Sequence, residues 1–191
     1  LGRVLDEFHG PIIIDADGIN ILDLKKNKEV LINRKGPTIL TPHLGEFSRL
    51  IEKNIDEIRS DIINLLSKNT REYNIITVLK DAVTTVSGPF VKVYFNFFPN
   101  DGMAVAGSGD VLSGIFGALF SRQGRENKKK LTNDKVEDYL TLGLYLHSKA
   151  GLRGRDIVGA TSMTAKDLID QLTDILNSIC KIEKSDELWK K

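Results

Sequence analysis

The sequence of 191 residues contains one cysteine, three histidines and no long apolar run. The single cysteine, Cys180, excludes an intrachain disulfide framework and suits a reducing compartment, so we expect a cytoplasmic protein. No apolar run approaches the ~20 residues that a membrane-spanning helix needs. No signal peptide is visible either, and we therefore expect no membrane partner.

Signatures of structural metal sites and of nucleic-acid binding are also missing. The three histidines and the cysteine show no zinc-ligand spacing, which argues against a structural zinc. The formal net charge is only +1, and no basic stripe carries interleaved aromatic residues, so we expect no nucleic-acid partner. The run at residues 128–130, three lysines between polar residues, is typical of a solvated loop.

Two familiar phosphate-binding patterns are absent, although the chain contains a glycine-rich turn at 107–109. This Gly-Ser-Gly turn is not followed by Lys-Ser/Thr, which excludes a Walker A loop, and Leu112 stands where the Rossmann pattern requires its third glycine. The surrounding segment 102–117 (GMAVAGSGDVLSGIFG) ends a strand-like region and leads directly into a helix. We expect the N–H groups of Gly107, Ser108 and Gly109 to lie at that helix N-terminus, where unpaired amides and the helix dipole bind anions.

Asp110 follows the glycine turn immediately. A carboxylate would repel a phosphate bound at these amides, so Asp110 is better placed to take a proton from a group that attacks the phosphate. The arrangement therefore indicates phosphoryl transfer to a hydroxyl. The alternative is that Asp110 is an acidic first-turn residue that only stabilises the helix dipole.

Short apolar runs alternate with amphipathic segments along the first half of the chain. The predicted strands are residues 11–15, 38–41, 75–79, 82–87 and 90–97. The predicted helical segments are 19–24, 44–51, 55–72, 108–122, 134–152 and 164–179, with a polar loop at 124–133. Strands alternating with helices, followed by helices alone, predict an α/β fold with a mostly parallel sheet and helices on both faces.

The two ends of the sequence have different characters. The chain begins at Leu1, and its first ten residues read like the end of an element that leads straight into a strand. We therefore expect that an N-terminal part is missing and that residues 1–191 form a single, partial domain. The charged tail 181–191 is expected to fray.

Polar residues follow the first two predicted strands, and ligands of such sheets gather at the carboxyl ends of the strands. Asp15 and Asp17 could hold magnesium through water, or they could cap the next helix. His43 lies directly after the second strand, where Pro42 fixes its direction. It could contact a ligand or simply lie at the surface.

Two further charged residues fit the same pattern. Glu46 could be a charge at the start of a helix, or an outer ligand to a magnesium-bound water. Lys80 follows the third strand, and its compact positive charge suits a phosphate, although it could equally reach only solvent.

Four segments, in this order, resemble one family. They read DADGIN at 15–20, LTPHLGEFSRL at 40–50, VLKDAVTTV at 78–86 and DGMAVAGSGDVLSGIFGAL at 101–119. Together they resemble the ADP/ATP-dependent NAD(P)H-hydrate dehydratases, which have a ribokinase-like fold. LGLYLHSKAG at 142–151 fits the same family, whereas the G-S-G-D motif alone would fit any ribokinase-like enzyme.

The resemblance implies a repair reaction on NADHX and NADPHX, the forms of NADH and NADPH that carry an added water at nicotinamide C6. The hydroxyl would be phosphorylated by ADP or ATP with Mg²⁺, and elimination of phosphate would restore the reduced cofactor. Asp110 would be the catalytic base, and the resemblance also implies a homo-oligomer. The implied substrate contacts are His43 and Asp110, and the implied nucleotide contacts are Lys80, Asp81, Ala82, Val83, Thr84, Gly107, Ser108 and Gly109.

The chain departs from the family's usual pattern at several positions. Leu44 replaces a proline, Asp81 a glycine and Asp101 a proline, and Val105-Ala106 stands for Thr-Gly. Asp81 adds negative charge near the expected phosphate site. By this resemblance, loss of the threonine could remove one phosphate hydrogen bond, worth about 1 kcal/mol if it is exposed and more if it is buried.

Two other functions fit the same residues. A ribokinase-like kinase for a small alcohol would release a stable phosphorylated product. A non-catalytic nucleotide-binding subunit would bind ADP or ATP without turnover.

Overall fold

The computed structural model describes residues 1–89, 93–126 and 133–188. Within these ranges one five-stranded sheet has the order β1-β2-β3-β4-β5. The strands are β1 (Ile12–Ile14), β2 (Thr38–Leu40), β3 (Ile76–Leu79), β4 (Thr84–Ser87) and β5 (Tyr94–Asn96). The first three strands pair in parallel, and β4 is antiparallel to both of its neighbours. Four of the five strands therefore run in the same direction, which confirms the predicted mostly parallel sheet.

Helices precede, connect and follow these strands. They are α1 (Gly2–Glu7), α2 (Asp17–Asn20), α3 (Lys28–Asn33), α4 (Leu44–Leu50), α5 (Ile55–Ser60), α6 (Ile62–Tyr73), α7 (Ser108–Glu126), α8 (Asn133–Val158) and α9 (Ala165–Leu188). Short 3₁₀ turns lie at Asp101–Met103 and Ala160–Ser162. Among the described helices, none combines the length and the apolar composition that crossing a bilayer requires.

The helices cover both faces of the sheet, because successive strand residues point to opposite sides. On one face Ile39 shares a core with Phe116 of α7 and Leu140 of α8. On the other face the next residue, Leu40, shares a core with Leu31 of α3. The two cores confirm the prediction of a sheet with helices on either side.

The predicted single helix over 55–72 is wrong, because the chain breaks at Asp61, which adopts φ −142° between α5 and α6. Ser60 and Asp61 favour such a break, since their short polar side chains compete with helical hydrogen bonds. The Ser60 hydroxyl donates to the Glu57 carbonyl, and the Asp61 carboxylate accepts from Asn64. The break lets both short helices contribute to one core under β3.

The C-terminal helices are longer than the sequence predicts. Helix α7 continues to Glu126, α8 continues to Val158 and α9 reaches Leu188. Part of the predicted loop 124–133 is therefore helical, and the lysine run at 128–130 lies outside the described residues. The expected fraying of 181–191 stays a prediction.

Candidate functional site

The carboxyl ends of β2 and β3 bring His43 and Lys80 side by side. The two residues form a parallel backbone bridge, and the Lys80 N–H donates to the Pro42 carbonyl at 2.7 Å. Parallel strands end at the same edge of a sheet, so residues that are distant in sequence meet there. The site is built on this edge.

His43 is the N-cap of α4, and this role fixes its ring. The unprotonated Nδ1 accepts the N–H groups of Gly45 at 3.0 Å and Glu46 at 3.1 Å. In return the Glu46 carboxylate accepts the His43 N–H at 2.8 Å, which completes a capping box. In the neutral ring the proton is consequently on Nε2, which lies 3.5 Å from the other Glu46 oxygen.

Lys80 is held by Asp15. Its Nζ lies 2.7 Å from Asp15 Oδ1, and the Ser113 hydroxyl donates to Asp15 Oδ2 at 3.0 Å. Burial raises the pKa of Asp15, but the hydrogen bond and charge of Lys80, with the Ser113 hydrogen bond, outweigh it and lower the pKa below its usual range. Asp15 is thus a fixed anion that orients the Lys80 ammonium.

The contacts of the two aspartates bear on the cap that the sequence suggested, while contact with magnesium through water stays a prediction. The Asp15 side chain accepts the N–H of Ala16, the N-cap residue of α2, and only the Asp15 backbone carbonyl reaches into the helix, where it accepts the Gly18 N–H at 2.9 Å. Asp17 is exposed and accepts only from Asn20, at 3.3 Å, among the described side chains. The described residues also contain no group of three or more His, Cys, Asp or Glu side chains that could hold a metal ion.

The glycine turn delivers the N-terminus of α7 to the same edge. Gly107 adopts φ +87°, a left-handed conformation that favours glycine, and the helix starts at the next residue. The N–H groups of Gly109 and Asp110 find no acceptor in the described part of the chain. A Cβ atom added at Gly109 would lie 3.3 Å from Lys80 Nζ. Two free amides and an ammonium group therefore converge, which is an arrangement that binds anions.

A cavity of about 580 Å³ opens beside this convergence. Predicted residues supply much of its lining: His43, Lys80, Asp81, Ala82, Thr84, Ser108 and Gly109. The predicted residues outside the lining are Asp15, Asp17, Glu46, Val83, Gly107 and Asp110. Asp110 is exposed to solvent and directly follows a lining residue, Gly109.

The opposite wall of the cavity comes from β5, the segment after it and α8. Phe98 and Leu144 give it apolar surface that suits an aromatic ring. The Asn96 side-chain amide donates to the Ser148 hydroxyl at 2.7 Å, and both residues are buried. Sequence reasoning did not single out these residues, although Leu144 and Ser148 lie in the segment LGLYLHSKAG that fits the family.

His147 of α8 is a titratable residue of the cavity lining that the sequence reasoning overlooked. Its Nε2 lies 3.0 Å from the Ser108 carbonyl oxygen, at the start of α7. Burial, and secondarily the charge of Lys80, lower the pKa of His147 to about 4 despite that hydrogen bond. The ring is therefore neutral at pH 7. The one sequence signal was its place within the segment LGLYLHSKAG.

Comparison with known sequences finds the family described as NAD(P)H-hydrate dehydratase, a carbohydrate-kinase group, whose model matches residues 1–174. The bifunctional NAD(P)H-hydrate repair enzyme Nnr of Moorella thermoacetica is 37% identical over 177 residues, which cover 93% of this chain and 31% of that protein. The ADP-dependent (S)-NAD(P)H-hydrate dehydratase of Neisseria meningitidis is 36% identical over 121 residues, covering 63% of this chain and 41% of the relative. The chain thus spans well under half the length of these curated relatives.

Comparison with solved structures supports the fold. The ADP/ATP-dependent NAD(P)H-hydrate dehydratase of Bacillus subtilis, co-crystallised with ATP/Mg²⁺, superposes with a TM-score of 0.73 at 24% identity, covering 88% of this chain and 55% of that one. A ribokinase-like superfamily protein of Enterococcus faecalis gives a TM-score of 0.65 at 18% identity, covering 93% of this chain and 66% of that one. The ribokinase-like fold expected from the sequence is confirmed.

Proposed function

The chain belongs to the NAD(P)H-hydrate dehydratase family, and we propose that it carries the catalytic site of an ADP- or ATP-dependent hydro-lyase. Its substrates are NADHX and NADPHX, and its products are NADH and NADPH. This proposal rests on family membership and on the names of relatives that act on the same substrates.

The observation that carries the proposal is the meeting of Lys80 Nζ with the free amides at the start of α7. The pair lies in a cavity of about 580 Å³, which is large enough for part of a nucleotide. Lys80 attracts the phosphates as a point charge, and the Gly109 and Asp110 amides bind oxygens of the transferring phosphoryl group. Asp81, Ala82 and Thr84 lie in the same lining and bind the nucleotide beside Lys80.

Asp110 supplies the base in this scheme. Its carboxylate takes the proton of the C6 hydroxyl while the hydroxyl oxygen attacks the terminal phosphorus of the nucleotide, which leaves as AMP or ADP. The phosphate ester then breaks at its C–O bond and phosphate departs with the electron pair. Loss of a proton restores the reduced nicotinamide ring. His43, which lines the cavity, contacts the dinucleotide.

Mg²⁺ is the cation that we expect with the nucleotide. The described side chains form no cluster that would hold the ion. The Glu46 carboxylate already accepts the His43 N–H in the capping box of α4. We therefore propose that the nucleotide phosphates carry the ion into the site, and that it there offsets phosphate charge. Glu46 and Asp17 would contact it only through water.

The remaining features of the proposal concern the whole protein. We propose a cytoplasmic homo-oligomer with no nucleic-acid or membrane partner. The single cysteine supports a reducing compartment, the balanced charge argues against a nucleic-acid partner, and the homo-oligomer rests on resemblance to the family alone.

The test is to incubate the full-length protein with NADHX and ADP or ATP, and to follow the absorbance of the reduced nicotinamide. Nucleotide-dependent recovery of that absorbance supports the dehydratase. A stable phosphorylated alcohol, with no recovery of NADH, would point to a small-molecule kinase. Nucleotide binding without any turnover would leave only a binding subunit.

A further inference from the structure

The contact between His147 and Ser108 links α8 to the start of α7. Nε2 of His147 lies 3.0 Å from the Ser108 carbonyl oxygen and 3.4 Å from its hydroxyl oxygen. A carbonyl oxygen only accepts, so Nε2 carries the proton and donates. Both side chains are buried, with 7% and 8% of their surface exposed, so a lost hydrogen bond is not replaced by bulk water.

No other side-chain hydrogen bond reaches residues 107–110 from the described remainder of the chain. Apart from the hydrogen bonds within α7 itself, the described backbone around this turn makes two bonds, from Ser108 N–H to the Val105 carbonyl and from Val111 N–H to the Gly107 carbonyl. Gly107, with φ +87°, offers little steric resistance to a change of backbone angle. Among the described residues, the His147 bond is thus the side-chain hydrogen bond that ties this turn to another element, beside the packing of Gly107 on Ala165 and of Gly109 beside Lys80.

The bodies of α7 and α8 do not depend on this bond. They already share a core through Leu112 and Phe116 of α7 and Leu140 and Leu144 of α8. Loss of the imidazole would leave that packing in place and release only the first turn of α7.

We propose that His147 is a positioning residue for phosphate binding. Its imidazole holds Ser108 in the position in which the Gly109 and Asp110 amides and Lys80 Nζ can bind the same anion. The inference rests on the proposed binding of nucleotide phosphates at α7. Since the ring is neutral, its removal takes away no charge that attracts phosphate, and the effect on affinity is one of position.

Two variants that both carry a side-chain amide, His147→Gln and His147→Asn, distinguish the effect of the hydrogen bond from the effect of lost packing. In His147→Gln the amide nitrogen reaches about where Nε2 lies, and the bond to the Ser108 carbonyl is retained. In His147→Asn the side chain is one methylene shorter and the bond is lost. His9→Ala, at an exposed histidine that lines a different cavity, is the matched control.

The measurement is calorimetric binding of ADP and of adenosine to the full-length wild-type protein and each variant. We expect His147→Asn to bind ADP about tenfold more weakly, with adenosine affinity unchanged, and His147→Gln and His9→Ala to match the wild type. Equal ADP affinities for the Asn and Gln variants, both folded by circular dichroism, would overturn this inference alone. An equal loss for ADP and adenosine would also overturn it. Wild-type protein that binds ADP no better than adenosine would overturn the phosphate site itself, whereas normal ADP binding without NADHX turnover would count against the proposed function only.

Discussion

Lys80 and Asp15 form a partly buried ion pair across the carboxyl end of the sheet, with Nζ and Oδ1 2.7 Å apart. The pair joins the end of β3 to the residue after β1, and β2 lies between them. Asp15 therefore holds the ammonium beside the amides of α7, and a phosphate that binds there meets a cation already in place.

Replacing Lys80 with methionine keeps most of the side-chain volume and removes the charge. We expect Lys80→Met to bind ADP at least about tenfold more weakly, because a close cation is lost from the phosphate site. Lys166→Met is the control, since Lys166 also pairs with an aspartate but lies exposed on α9. Calorimetric titration with ADP measures both. A Lys80→Met protein with wild-type affinity would remove Lys80 from the proposed site.

The sequence could predict the sheet because its strands are short apolar runs. Four of the predicted strands overlap the observed ones within about two residues at either end, and the fifth overlaps at β5, while residues 90–92 lie outside the described ranges. The strand-end rule also placed His43, Lys80 and the glycine turn at one edge. These features follow from local patterns, and local patterns are what a single sequence displays.

Long-range pairings could not be predicted in the same way. Asp15 suggested a metal ligand or a cap, but its partners are Lys80 and Ser113, which lie 65 and 98 positions further along the chain. His147 likewise meets Ser108 only because α8 packs on α7. No spacing or periodicity in the sequence encodes such contacts, which depend on how the helices are placed around the sheet.

Gly107 and Gly114 form a matched pair for testing the turn before α7. Alanine at Gly107 must adopt φ +87° and bring its Cβ to 3.0 Å from the Ala165 Cβ, so we expect Gly107→Ala to lower the unfolding free energy by about 1–2 kcal/mol. Gly114 lies inside α7 with nothing within 4 Å of an added Cβ. Gly114→Ala should therefore raise the unfolding free energy by about 0.5–1 kcal/mol. Denaturant unfolding measures both, and equal effects would refute the left-handed turn.

His147 makes the stability of the protein depend on pH. Its folded pKa of about 4 is below the unfolded value of 6.5, so between these values the unfolded chain binds the extra proton. The contribution of His147 to the unfolding free energy is complete above pH 6.5. It falls as the pH drops to 4, by at most about 3 kcal/mol. Lys80 and Ser108 face the ring from the neighbouring elements.

The His147→Gln variant isolates this effect, because glutamine does not titrate. As the pH falls from 6.5 to 4, we expect the unfolding free energy of the wild type to decrease more than that of the variant. Denaturant titrations at several pH values provide the measurement. A difference that stays constant over this range would mean that His147 is not held neutral by its surroundings.

The proposed role of Asp110 as the base needs a direct test, because its side chain is exposed and lies outside the cavity lining. Asn has nearly the same shape and cannot accept the hydroxyl proton as a base. We expect Asp110→Asn to lower the rate of NADHX dehydration by about 10²–10⁴-fold while ADP still binds, since the α7 amides and Lys80 are unchanged. Asp56→Asn, at an acidic first-turn residue of α5, is the control for a simple loss of helix-dipole stabilisation. If the Asp110→Asn variant dehydrates NADHX at the wild-type rate, Asp110 is not the base. Its role is then that of an acidic residue in the first turn of a helix, like Asp56.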